Sequence, residues 1–117
     1  MVRENIFDIF SEHDPEKRRA KIASLWADDG VFIVVNPPGR YEGHSGVEEA
    51  AAGFIAQFPT FTFTLRGEAQ AYSGVGMIPW AFGPPGREPI ITGIDVLVIK
   101  GDKIGAVYVF QDSQPKK

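Results

Sequence analysis

Asp95 stands in Ile94-Asp95-Val96-Leu97-Val98-Ile99, a stretch in which every neighbour is an aliphatic hydrophobe. Period-two alternation places it on one strand face with Ile91, Gly93, Leu97 and Ile99. An ionised carboxylate without partners there costs on the order of several kcal/mol, so its pKa must rise or it must be paired. A carboxyl group tuned towards neutral pH can give and take protons, which is the work of a general acid/base. The competing reading is a structural carboxylate held by backbone amides or by a tyrosine hydroxyl.

Turn chemistry suggests what surrounds it. A two-residue Gly101-Asp102 hairpin loop pairs Lys100 with Lys103 and sets Asp95 opposite Tyr108. A four-residue loop over residues 83–86 sets Ile78 opposite Ile91 and Gly76 opposite Gly93, with Trp80 on the same face. Two adjacent glycines beside a buried acid would leave a hollow, walled by Trp80, Phe82 and Tyr108. Pro79 and Pro89 also make a bulge feasible in that hairpin.

Other chemistry is scarce. The chain has no Cys and only two His, His13 and His44, which excludes thiolate catalysis, Cys-ligated metals and a three-His metal site within one chain. His44 sits in Gly43-His44-Ser45-Gly46 just before a helix and reads as a loop residue, with a base at a pocket mouth as the alternative. His13 reads as a surface loop residue. Asp28-Asp29 reads as a solvated helix stop rather than a metal site. Lys17-Arg18-Arg19-Ala20-Lys21 is one helix face balanced by Glu12, Asp14 and Glu16. No phosphate-binding glycine loop and no nucleophile elbow is present.

The elements that must position these residues follow from pattern. Val2, Ile6, Phe7 and Phe10 fall at helical spacing, and that helix ends near Ser11-Glu12-His13. A second helix opens with Asp14 as N-cap and Pro15 at the first position. It carries Ile22, Leu25 and Trp26 as its apolar stripe, turns Lys17, Arg18, Arg19 and Lys21 to water, and stops at Asp28-Asp29-Gly30. Residues 31–35 form a strand broken by Asn36-Pro37-Pro38-Gly39. Ser45 and Glu48 have capping-box spacing, opening a third helix that runs to about residue 58. Strands follow at residues 61–65, 69–72, 77–82, 90–100 and 104–111, and the tail Pro115-Lys116-Lys117 is expected to be loose. Helices followed by an antiparallel meander define an α+β class with three N-terminal helices on one face of a curved sheet. With 117 residues this is a single domain, 1–117.

Charge is uneven. Residues 3–29 hold 12 of the 27 charged side chains, whereas residues 50–86 hold only Arg66 and Glu68. A middle so poor in charge is covered on both faces, and a partner subunit is the expected second cover. A net charge of −3 argues against nucleic acid as a partner. No apolar run reaches membrane-span length and the opening Met1-Val2-Arg3-Glu4-Asn5 lacks a signal-peptide layout, so a soluble cytoplasmic chain is expected.

Leu25-Trp26-Ala27-Asp28-Asp29-Gly30 before a strand, with Tyr41-Glu42-Gly43-His44-Ser45-Gly46 opening the third helix, resembles the SnoaL-like branch of the nuclear transport factor 2-like superfamily. That resemblance implies a cone-shaped, cystatin-like α+β roll: a strongly curved, mixed but largely antiparallel sheet around an apolar pocket. It also implies homodimerisation through the outer sheet face. Residues 77–96 are similar to the part of ketosteroid isomerase that carries its oxyanion-hole Asp, and Asp95 falls at that place; the isomerase is a known example of an acid kept protonated by an apolar site. Where the isomerase carries its catalytic base, before a Pro, this chain has Asn36, and an amide cannot take the proton. The isomerase's first-helix Tyr has no counterpart among residues 6–10. Steroid isomerisation is therefore not expected, and the paired carboxylates of limonene epoxide hydrolases are missing too.

The expectation is a cofactor-independent, metal-free pocket for a small hydrophobic molecule. Asp95 would be general acid/base with Tyr108 orienting it. Trp26, Trp80, Phe82, Ile78 and Gly93 would shape the pocket, and Asn36 and Tyr41 would meet polar groups of the ligand. The alternative is a non-catalytic ligand-binding or dimerisation module on the same fold.

Overall fold

The computed structural model describes residues 2–112; the tail at Pro115-Lys116-Lys117 lies outside the described residues. Near the N-terminus, Asn5–Ile9 form a π-helical turn closed by the Phe10 amide donating to the Asn5 carbonyl at 3.1 Å. Helix α1, Pro15–Leu25, starts as its sequence dictates: Pro15 occupies the first turn and the Asp14 carboxylate accepts from the Glu16 amide at 2.9 Å.

Strand β1, Trp26–Val34, begins directly where α1 ends, so Trp26 belongs to the strand and not to the helical stripe. Asp28 and Asp29 fall where its register is interrupted, between Trp26 and Val31. Asp29 forms an ion pair with Lys100 at 2.8 Å. The cis Asn36-Pro37 turn leads into β2, Gly39–Glu42.

Helix α2, Gly43–Gln57, follows at once. It starts two residues before Ser45, with Glu42 at the cap position and no side-chain cap bond, so the capping box does not form. Gly43 takes a φ of +73°, which lets the strand turn straight into the helix. Glu48 is engaged elsewhere. Its two carboxylate oxygens accept from Arg18 Nε at 2.9 Å and Nη2 at 2.8 Å. Arg18 therefore turns inward, 3% exposed, instead of facing water, and joins α1 to α2.

Five more strands complete the sheet: β3 Thr62–Leu65, β4 Gln70–Tyr72, β5 Val75–Gly83, β6 Ile91–Lys100 and β7 Lys103–Gln111. The order is β2-β1-β7-β6-β5-β3, with β4 pairing β5; only β1 with β7 runs parallel. This is the expected α+β class, a curved, unclosed, mostly antiparallel sheet with the helical segments on its concave side. Ile6, Ile9, Ile22, Val47, Leu97 and Val107 meet there as the core. Among the described residues no helix is long and apolar enough to cross a membrane.

Two registers differ from expectation, and both bear on the site. Lys100 does pair with Lys103, but Ile99 pairs with Ile104 and Val98 with Ala106. Gly105 is thus an extra residue, a bulge that slips every later pair by one. Asp95 consequently faces Val109, and Tyr108 lies opposite Val96. In the β5–β6 hairpin, Phe82 pairs with Ile91, Trp80 with Gly93 and Ile78 with Asp95. Pro84, Pro85 and Pro89 lack amide hydrogens and widen this connection beyond four residues; the Ile90 amide closes it on the Phe82 carbonyl at 2.8 Å. Gly76 therefore faces Leu97, not Gly93.

Candidate active site

Asp95 lies near the middle of β6, between β5 and β7, with its side chain on the concave face beside Ile78 and Val109. It is 5% exposed. Its Oδ1 accepts a hydrogen bond from Trp80 Nε1 at 2.8 Å, and among the described residues Oδ2 has no protein partner. Burial pushes the carboxyl pKa up from 3.8 to about 7, against a smaller downward pull from the Trp80 hydrogen bond. At neutral pH the group is poised between acid and base.

Gly93 makes that contact geometrically feasible. It pairs with Trp80 across the strands, and a Cβ there would lie 2.5 Å from Trp80 Cζ2 and 2.7 Å from the Phe110 carbonyl. Because Gly93 has no side chain, the indole lies across it and reaches Asp95, two residues along. The space left by glycine is filled by tryptophan and is not a hollow for ligand. Arg66 secures the same two residues from behind, donating from Nε to the Trp80 carbonyl at 3.0 Å and from Nη2 to the Gly93 carbonyl at 3.1 Å.

Asp95 and Trp80 line a cavity of about 710 Å³. Ile6 and Phe10 of the N-terminal segment, Phe32 of β1 and Tyr41 of β2 close one side. Phe54 and Phe58 of α2, with Phe63 of β3, close the other. Pro37, Pro38 and Gly39 border it, as do the exposed Glu49, Gly53 and Gln57. The rings brace one another: Phe10 stacks on Phe32 at 4.8 Å between centroids, and Phe54 meets Phe82 at 4.6 Å. A second cavity of about 270 Å³ lies behind this aromatic wall, bordered by Phe82 and His13.

Of the residues singled out from sequence, Asp95, Trp80 and Tyr41 converge on the main cavity. Tyr108 does not. The Gly105 bulge puts it out of phase with Val109, on the convex face, where it can neither orient Asp95 nor meet a ligand in the cavity. Trp26 is 1% exposed in the core, its Nε1 donating to Asn5 Oδ1 at 2.9 Å, and does not line the cavity. Ile78 is core beside Asp95, Gly93 underlies Trp80, and Phe82 lines the second cavity. Asn36 is exposed in the β1–β2 turn, outside the lining to which its neighbours Pro37 and Pro38 contribute. His44 lies in the first turn of α2 and not in a loop before it, with its Nε2 2.8 Å from the Trp26 carbonyl.

Glu49, Phe54, Phe58 and Phe63 line the cavity without having been singled out. Their signal was present: Phe54 and Phe58 lie four apart on a helix, and Phe63 alternates with threonines. Among the described residues no three His, Asp or Glu side chains come together as a candidate metal site. Chemically, the arrangement offers one buried carboxyl, Asp95, with an oxygen that has no protein partner among the described residues, in an aromatic chamber bordered by a second carboxyl, Glu49.

The chain matches the SnoaL-like domain family over residues 4–107. No curated protein matches it. Among solved structures, a protein of the SnoaL-like family from Agrobacterium tumefaciens is 21% identical, with a TM-score of 0.86, covering 96% of this chain and 95% of that one. A ketosteroid isomerase-like fold protein from Catenulispora acidiphila, in complex with trimethylamine, is 15% identical with a TM-score of 0.72 over 94% and 86% of the two chains. A cystatin-fold protein from Novosphingobium aromaticivorans is 17% identical with a TM-score of 0.65 over 93% and 90%. At such identities the likeness is one of fold. The family match spans nearly the whole chain and agrees with its architecture, and the chain belongs to the SnoaL-like domain family.

Proposed function

We propose that this chain binds a small, largely apolar molecule in the 710 Å³ cavity and that Asp95 acts on it as a general acid/base, in an isomerase-, cyclase- or hydrolase-type reaction. The observation that carries this reading is the Asp95 carboxyl: buried, held on one oxygen by Trp80, and with its other oxygen unpartnered among the described residues at a cavity wall. Aromatic walls would fix the substrate in one pose, and orientation is itself a large part of such catalysis. Asp95 would take a proton through Oδ2 and return it to another atom of the same molecule. The Trp80 hydrogen bond holds the carboxyl in one rotamer meanwhile and stabilises its ionised form.

One protein of similar fold is in complex with trimethylamine, and that supports a small organic ligand for this chain. Among the described residues no second carboxyl group is hydrogen-bonded to Asp95, and that favours a binding module as the alternative. Turnover separates the two. With a substrate found by ligand-induced thermal shift, Asp95→Asn should lower kcat at saturating substrate by about 100-fold or more, a loss beyond any change in affinity. Unchanged turnover would remove Asp95 from the mechanism, and binding without any turnover by the wild type would leave the non-catalytic reading.

We also propose a homodimer through the convex sheet face, where Val75, Val98 and Phe110 are exposed beside Val96, Tyr108 and Ile94 without an intervening charge.

A further inference from the structure

The charge pattern of the cavity narrows what it accepts. Seven of its lining residues are aromatic, and its ionisable groups are Asp95, Glu49 and Tyr41. Among the described lining residues there is no Lys, Arg or His. Three arginines are engaged elsewhere: Arg66 with backbone carbonyls, Arg18 with Glu48 and Arg40 with Glu42. An anionic guest would meet two carboxyl groups and seven aromatic residues, with no counter-charge among the described lining residues. A cation would meet both in its favour, because ring faces attract cations most strongly where water is excluded.

We propose that the cavity is specific for an organic cation, an apolar tertiary or quaternary ammonium compound, held between the aromatic walls and the carboxyl groups of Asp95 and Glu49. This deepens the small-molecule reading of the same cavity and rests on it. The two carboxyl groups divide the work by position. Glu49, exposed at the rim on α2, attracts the cation at entry, and Asp95 neutralises it inside. Of the described residues lining the cavity with Asp95, those of β1, β5, β7, β3 and the N-terminal segment (Phe32, Trp80, Val109, Phe63 and Phe10 among them) carry no ionisable group, and the other ionisable ones are Glu49 on α2 and Tyr41 on β2. Cation affinity should then rise with pH as Asp95 ionises and level off above neutrality.

Three probes of one shape and different charge test this: phenyltrimethylammonium, tert-butylbenzene and benzenesulfonate, titrated into the protein by NMR at pH 5.5 and pH 8. The expected result is binding of the cation at least about 10-fold tighter than the sulfonate at pH 8, with a smaller gap at pH 5.5. Asp95→Asn should weaken the cation by about 10-fold, and the rim variant Glu49→Gln by about 3-fold, leaving tert-butylbenzene within about twofold of wild type. If the sulfonate binds as well as the cation, or if the variants weaken cation and neutral probe alike, charge selectivity is overturned and the small-molecule reading stands. If none of the three binds, the cavity reading falls with it.

Discussion

At the scale of the residue, Asp95 is a carboxyl whose stability and chemistry are linked. Its folded-state pKa, about 7, lies above its unfolded value of 3.8. Between those values the folded chain keeps a proton that the unfolded chain has lost, so stability from this group is full below pH about 4 and falls as pH rises through 7. The displacement corresponds to roughly 4 kcal/mol. Asp95→Asn has no such proton to lose. Relative to wild type, the variant should gain up to ~4 kcal/mol between pH 3 and pH 8 in urea unfolding, and a pH-independent difference would contradict the burial account. Trp80→Phe removes the donor to Oδ1. The Asp95 pKa should then climb further, by roughly 1 unit, visible in its carboxyl carbon shift.

At the scale of the element, glycine and arginine decide where side chains end up. Gly93→Ala would place a Cβ 2.5 Å from the Trp80 ring and 2.7 Å from a backbone carbonyl that cannot easily retreat. A loss of about 1–3 kcal/mol is expected, with the indole displaced from Asp95. Stability measured by denaturation and the Asp95 pKa should change together. Glu48→Gln gives a second discrimination. A capping-box residue tolerates glutamine, whereas the buried pair with Arg18 does not. The observed pairing predicts a loss of about 3 kcal/mol, and a nearly neutral substitution would restore the capping role.

Element identity was legible in the sequence because caps, prolines and period-two runs act locally. Asp14-Pro15, Phe61 to Leu65 and the strand around Asp95 needed no tertiary information. Asp95 and Trp80 were legible as cavity residues for a related reason, since strand phase fixes their face, whereas Tyr41 was named without the strand β2 that carries it. Register was not legible. One bulge residue moves Tyr108 to the other face of the sheet, and its sole local signal, a glycine at 105 inside a strand, does not show by itself that the register slips there. Arg18 was read as solvated because its partner lies 30 positions away on another helix. The spacing of Phe54 and Phe58 on one helix face was legible, but that they and Glu49 border the cavity depends on how α2 crosses the sheet.

At the scale of the whole molecule, the apolar residues of the sheet divide between two surfaces. The concave face closes on the core and the cavity, and the convex face leaves Val75, Val98 and Phe110 exposed. Sedimentation should give twice the monomer mass for wild type, and Phe110→Lys with Val98→Lys should dissociate it without loss of the fold. A monomeric wild type at tens of micromolar would remove the dimer from the account.

All of this turns on whether Asp95 is a dry, poised carboxyl. The most direct measurement is the pH titration of the Asp95 side-chain carbonyl carbon by NMR in the wild-type protein, assigned by its absence in Asp95→Asn. A midpoint near 7 is the predicted result. A midpoint near 4, the value of a solvated aspartate, would contradict the burial of Asp95 and the acid/base role built on it.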